Sequence, residues 1–222
     1  MAAILYLHFT PPEDQVPRVV VTGHMIDRGE QQRFPEAFAQ RVYGALAFWL
    51  KGLHSAYGRQ LHLFTSASTG VDLLAIAIAL TEMIPTDVFL PQAEEPFLAR
   101  SVAYGARAEQ WVRIYQAARA ASWITIHKPV DAAAPERLYT APPDGSKQHY
   151  VDLNVELGQL LRPATNDRLI AVWDGRDIGT PGGTGHMVKL AISRGVQCLM
   201  LQEGLLSADP RYDSSALRYT FL

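Results

Sequence analysis

The stretch from Leu169 to Lys189, LIAVWDGRDIGTPGGTGHMVK, constrains the fold most: an apolar run breaks into a glycine-rich turn and restarts with helical periodicity. Five of the eleven residues from Gly175 to Gly185 are glycines. Val172 and Trp173 close a strand and Asp174-Gly175 turns the backbone outward. Gly182-Gly183-Thr184-Gly185 then leaves the main chain open to a group that side chains would block. With Thr184 or Gly185 opening the next helix, free N–H groups and the positive dipole end face the loop, and phosphate is the commonest occupant of such a cradle. Tight turns use the same glycines, so ligand binding and plain turn chemistry both stand as readings of the loop alone.

The spacing excludes two standard nucleotide motifs. A P-loop places Lys-Ser or Lys-Thr after its last glycine, where this chain has His186-Met187; the dinucleotide fingerprint needs a third glycine where Val188 stands.

Apolar periodicity predicts strands at 18–22, 61–65, 85–90, 123–127, 168–173 and 196–202. Helical spacing falls at 35–50, 71–83, 107–121, 150–161 and 184–193. Strand and helix alternate throughout. With nearly continuous apolar strands, this indicates an α/β, Rossmann-like, doubly wound and mainly parallel sheet in a three-layer sandwich. We expect one domain over 1–222 with its core at about 18–202. The proline-rich stretch 128–147 reads as an irregular excursion and a candidate lid.

Ligands in such folds sit beyond the carboxyl ends of the strands, where three clusters fall. These are Thr22-Gly23-His24, Thr65-Ser66-Ala67-Ser68-Thr69-Gly70, and Asp174 through Gly185. They converge if their strands are neighbours. The second cluster offers hydroxyls and free N–H groups to phosphate or ribose oxygens; equally, Ser68 or Thr69 N-caps the helix. Asp72 suits ribose hydroxyls or the helix dipole. Asn154, on an otherwise apolar helix face, needs partners and is either a structural bond or a ligand contact. His24 and His186 each follow a glycine at a strand-end turn and can share a pocket as hydrogen-bond donors or as acid and base. No metal-ligand spacing appears, and His8, His54, His62, His127 and His149 look incidental. Catalytic candidates are Asp72, Asp174 and His186.

Charge limits the partners. Twenty basic against twenty-two acidic residues give a net charge of -2 without a basic block, which disfavours nucleic acid. Cys198, the single cysteine, lies in the apolar run 196–201 as a buried structural thiol. The N-terminus MAAILYLHF lacks a basic leader before Pro11-Pro12, and the run 71–80 contains Asp72 and is too short to span a bilayer. A cytoplasmic chain without membrane contact is expected.

Four motifs, TGHMIDRGEQQRFPE at 22–36, TSASTGVDLLA at 65–75, FLPQAEEPFLARSV at 89–102 and VWDGRDIGTPGGTGH at 172–186, occur in an order that resembles the SLOG superfamily. This Rossmann-like group includes the DprA and lonely-guy (LOG) proteins. The resemblance implies a nucleotide pocket bounded by Gly23, Ser66 to Gly70 and Gly182 to Gly185. Asp72 or Asp174 would sit on ribose hydroxyls, and Arg33, Arg100 or Arg176 would neutralise phosphate. LOG enzymes, which release a base from a nucleoside monophosphate, follow this glycine motif with a Glu pair; Val188 and Lys189 stand there instead. A valine can neither stabilise an oxocarbenium-like centre nor activate water. The resemblance therefore favours the sensor-type members, which bind ADP-ribose or cyclic ADP-ribose derived from NAD, over a hydrolase with a non-standard acid. It further implies no cofactor beyond the nucleotide ligand, a homo-oligomer and an effector protein as partner.

Overall fold

The computed structural model describes residues 4–5, 16–27, 33–131, 133–140, 147–176, 179, 181–201 and 219–221. Its strands are β1 (Ile4–Leu5), β2 (Arg18–Gly23), β3 (His62–Thr65), β4 (Thr86–Phe89), β5 (Ile124–His127), β6 (Val130–Asp131), β7 (Ala134–Leu138), β8 (Arg168–Val172), β9 (Gln197–Leu201) and β10 (Tyr219–Phe221). The α-helices are α1 (Ala39–Tyr57), α2 (Val71–Glu82), α3 (Glu94–Ser101), α4 (Ala108–Ala120), α5 (Gln148–Leu160) and α6 (Thr184–Ser193).

Seven strands pair in the order β10-β9-β8-β2-β3-β4-β5. All neighbours run parallel except β10, which lies antiparallel to β9 at the edge. The chain leaves the central β2, steps outward through β3, β4 and β5, then returns to the other side of β2 as β8. That reversal between β2 and β8 is the topological switch point, where open α/β sheets leave a crevice at the strands' carboxyl ends.

Alternating side chains feed two cores. Val19, Val21, Leu63, Val88 and Ile170 pack on one face against α1, α2 and α4. Val20, Phe64, Leu169 and Cys198 pack on the other against Leu153 and Leu157 of α5 and Met187 and Val188 of α6. Each such side chain fully buried contributes about 1.5–3 kcal/mol. Both faces are covered, as the nearly continuous apolar strands require. Helix α2 is buried on nearly all sides, including Val71, Leu73, Ile76 and Ile78.

The boundaries differ from the periodicity in two places. The region before residue 121 holds two helices, since α3 turns only Phe97 and Ser101 inward and leaves too weak a stripe to read. The stretch 128–147 is not irregular throughout: β6 and β7 form an antiparallel pair that β1 extends, while 132 and 141–146 lie outside the described residues. Strands this short carry too little alternation to register. No helix among the described residues is long and apolar enough to cross a membrane.

Candidate functional site

Because β3 and β8 both flank β2, their three loops meet. His24 N–H bonds to Val172 O at 3.2 Å, Val71 N–H to His24 O at 3.3 Å, and Ile26 N–H to Thr69 O at 3.1 Å. The last two bonds need close contact at Gly70, whose φ of +112° suits glycine and where a Cβ would stand 2.6 Å from His24 O. The result is a cavity of about 310 Å³ at the switch point.

One wall is the start of α6. Gly183 is its N-cap and supplies no side chain. The N–H groups of Thr184 and Gly185, in the first turn, have no intrahelical acceptor and border the cavity. Gly182 holds this loop against α5: its φ is +75°, and a Cβ there would meet Tyr150 Cβ at 2.4 Å and Val151 N at 2.9 Å. Asn154 Nδ2 donates to Gly183 O at 3.1 Å and lies 3.3 Å from His186 Nδ1. Asn154 is thus a structural strut that also lines the cavity.

The opposite wall carries Ser66, Ser68 and Asp72. Ser66 is 8% exposed, and its hydroxyl has no hydrogen-bond partner among the described residues. An unmet buried hydroxyl costs about 1–3 kcal/mol, so a group that can bind it is favoured in this cavity. Asp72 is as deeply buried and accepts the Ser68 N–H at 3.2 Å. Burial pushes its carboxyl up to about 7, against the opposing Ser68 bonds.

Asp174 has a different task. Arg33 grips its carboxylate with two bonds of 2.8 and 2.9 Å, and the Arg176 N–H adds a third at 3.0 Å. Burial alone would raise this carboxyl; Arg33, the Arg176 N–H and His24 outweigh it and hold it far below the usual carboxylate range. Burial and the Arg33 charge lower the His24 pKa, and its Nε2 lies 3.2 Å from Asp174 Oδ1 and 3.3 Å from the Asp174 backbone nitrogen.

The structure therefore brings Gly23, His24, Arg33, Ser66, Ser68, Asp72, Asn154, Arg176, Gly182, Gly183, Thr184, Gly185 and His186 around one cavity, and places Arg100 on a neighbouring one. It does not bring Ala67, Thr69, Gly70, Asp174 or Gly175 to the cavity lining. Neither Ser68 nor Thr69 caps α2, whose N-cap is Gly70. The Thr69 hydroxyl and N–H are spent on Ser101 O, and the Ser68 N–H on Asp72, so the Ser66–Thr69 turn keeps fewer free donors for phosphate than its sequence promises. Tyr150, Lys147 and Trp173 line the cavity without a signal in the sequence, where Tyr150 reads as one apolar position of a helix.

Two of the histidines that look incidental are not. His62 on β3 and His127 on β5 each place Nε2 2.5 Å from the Asp87 carboxylate on β4. His62 stacks on Phe64 and His127 on Phe89, away from the cavity. Cys198 is buried, and burial raises its thiol to about 11, as a structural thiol requires.

No protein-family model matches the chain, and no curated protein matches it. Among solved structures it is similar to DNA processing protein A (DprA) from Streptococcus pneumoniae, with TM-score 0.48 and 16% identity over 83% of this chain and 50% of that one. It is also similar to Streptococcus suis SuiB bound to S-adenosylmethionine, with TM-score 0.29 and 10% identity over 84% of this chain and 39% of that one. The chain thus spans half the length of the first and 39% of the second.

Proposed function

We propose that this chain binds a nucleotide-derived small molecule of the ADP-ribose or cyclic ADP-ribose kind and holds it as a signal. One observation carries the reading: the uncapped start of α6 and Ser66, whose buried hydroxyl has no hydrogen-bond partner among the described residues, border a single cavity at the switch point. Free N–H groups at a helix start accept a phosphate, and a hydroxyl across the cavity meets a ribose oxygen. Arg176 and His186 border the same space. The motifs shared with the SLOG superfamily support the same choice of ligand.

The test is an incubation series with ADP-ribose, cyclic ADP-ribose isomers, NAD and purine monophosphates, read by melting temperature and by chromatography of the same tubes. A ligand at 100 times its Kd adds about 2.7 kcal/mol of stability. Stabilisation with intact ligand supports the reading; no stabilisation by any of them refutes it.

A second reading, an N-glycosidic hydrolase, is favoured by Asp72. This carboxyl borders the cavity, has no cation beside it among the described residues, and keeps its proton up to about 7. Those are the properties of a general acid. Asp174 lacks them, being clamped by Arg33. Release of a free base or nicotinamide, abolished in Asp72→Asn, would decide for it.

A further inference from the structure

His186 lies in the first turn of α6 and borders the cavity. The Cα–Cβ bond of a helical residue tilts toward the helix start, which carries this ring toward the free N–H groups of Thr184 and Gly185. Its Nδ1 stands 3.3 Å from Asn154 Nδ2, and the same amide nitrogen stands 3.1 Å from Gly183 O. Among the described residues the His186 ring makes no other hydrogen bond, so its Nε2 is uncommitted there.

These contacts fix where the protons are. Gly183 O can only accept, so the part of the Asn154 amide that faces it is the NH2 group; the reverse orientation would set two carbonyl oxygens 3.1 Å apart. That nitrogen donates to Gly183 O and to His186 Nδ1 and accepts from neither. Nδ1 must therefore accept, and a ring whose Nδ1 is bare carries its proton on Nε2. Asn154 is buried on α5 beside Leu153 and Leu157, so water competes little for its hydrogens.

We propose that Asn154 is a positioning residue that sets the His186 tautomer, and that His186 uses its Nε2–H to donate to an oxygen of the phosphoryl group bound at the start of α6. The ligand then meets the N–H groups of Thr184 and Gly185 and the His186 ring within one helical turn. With Nδ1 engaged and the proton on Nε2, His186 serves as a donor and not as a base, which removes one of the roles its sequence position left open. The inference rests on the phosphate-binding reading of α6 and adds a further contact and the residue that orients it.

The test has two readouts on the full chain at neutral pH. Long-range proton–nitrogen NMR of histidine-labelled protein, with His186→Gln identifying the His186 signals, reports which ring nitrogen is protonated. Nε2–H is expected in the wild type and Nδ1–H in Asn154→Asp, whose carboxylate can only accept. Calorimetric titration of ADP-ribose then compares the wild type, Asn154→Ala, His186→Ala and the double variant, with melting curves confirming that each folds. Asn154→Ala should weaken binding about tenfold when His186 is present and about threefold or less in the His186→Ala background, because the ring it orients is gone. Nδ1–H in the wild type, or an equal loss in both backgrounds, overturns the inference while leaving the α6 site in place. Failure of the wild type to bind ADP-ribose overturns the phosphate reading and this donor role together.

Discussion

Arg33 and Asp174 stand 141 positions apart in the chain, yet two side-chain hydrogen bonds of 2.8 and 2.9 Å join them beside the cavity. Arg33 also donates to Arg176 O at 3.1 Å, so it ties the segment after β2 to the segment after β8. This makes Arg33 a brace for the site and not a free charge for a ligand.

Removing either half leaves the other polar group short of partners in a largely buried place. Arg33→Ala and Asp174→Asn are each expected to lower stability by about 1–3 kcal/mol. The double variant should cost clearly less than the two losses added together, because the second change removes nothing more of the pair. Denaturant unfolding of the four proteins measures this; strict additivity would show that the contact contributes nothing.

Gly182 and Gly58 separate backbone strain from packing. Both have positive φ, +75° and +59°, but a Cβ at Gly182 meets Tyr150 at 2.4 Å and one at Gly58 meets nothing within 4 Å. Gly58→Ala should cost about 1–3 kcal/mol, because φ +59° with ψ -141° is a backbone that only glycine adopts readily. Gly182→Ala should cost about 1–3 kcal/mol more for the clash and should widen the seam with Tyr150. Equal melting temperatures for the two variants would contradict the packing described.

Asp72 makes stability fall as pH rises. Its folded carboxyl titrates at about 7 against an ordinary 3.8, so between these values the folded chain holds a proton that the unfolded chain has released. The penalty begins near pH 4 and is complete above 7, reaching at most about 4 kcal/mol at about 1.36 kcal/mol per pH unit. Asp72→Asn cannot ionise, and its stability relative to the wild type should rise from pH 4 to pH 8. A difference that does not vary with pH would contradict the burial of this carboxyl.

Asp87 acts in the opposite direction. Burial would raise its carboxyl, but hydrogen bonds from His127 and His62 outweigh it and lower the pKa. The stability it contributes is present above its unfolded pKa, about 3.9, and is lost as pH falls through the lower folded value. Asp87→Asn should cost about 1–3 kcal/mol at pH 7, and the gap to the wild type should close in acid. Unfolding curves at pH 7 and pH 3 test this, and a gap that widens in acid would sink it.

Local pattern carried much of this architecture. The bounds of α6, Thr184–Ser193, follow from the glycine run that must precede a helix and the apolar spacing within it. The strands at 18, 62, 86, 124, 168 and 197 follow from β-branched and apolar runs bounded by turn residues. What pattern does not encode is which strands are neighbours, and the long-range pairs depend on that. The Arg33–Asp174 brace requires β2 beside β8, and the His62–Asp87–His127 ladder requires β3, β4 and β5 side by side. Ser66 was legible as a polar residue at a strand end, but its lack of a partner among the described residues was not, because that depends on Thr69 bonding Ser101 and Asp72 bonding the Ser68 N–H. Tyr150 and Lys147 stayed hidden because a helix face shows its periodicity without showing what lies opposite.

The account turns on the start of α6, and Gly183→Asp tests it most directly. Gly183 has φ -81° and ψ 176°, an extended backbone that any residue adopts at an N-cap, where aspartate is among the preferred residues. The new carboxylate would take the free N–H groups for itself and repel a phosphate while the helix keeps its cap. Titration calorimetry of ADP-ribose should show binding to the wild type and none to a Gly183→Asp protein that melts at or above the wild-type temperature. Unchanged affinity in a folded Gly183→Asp protein would remove this loop from the site and contradict the account.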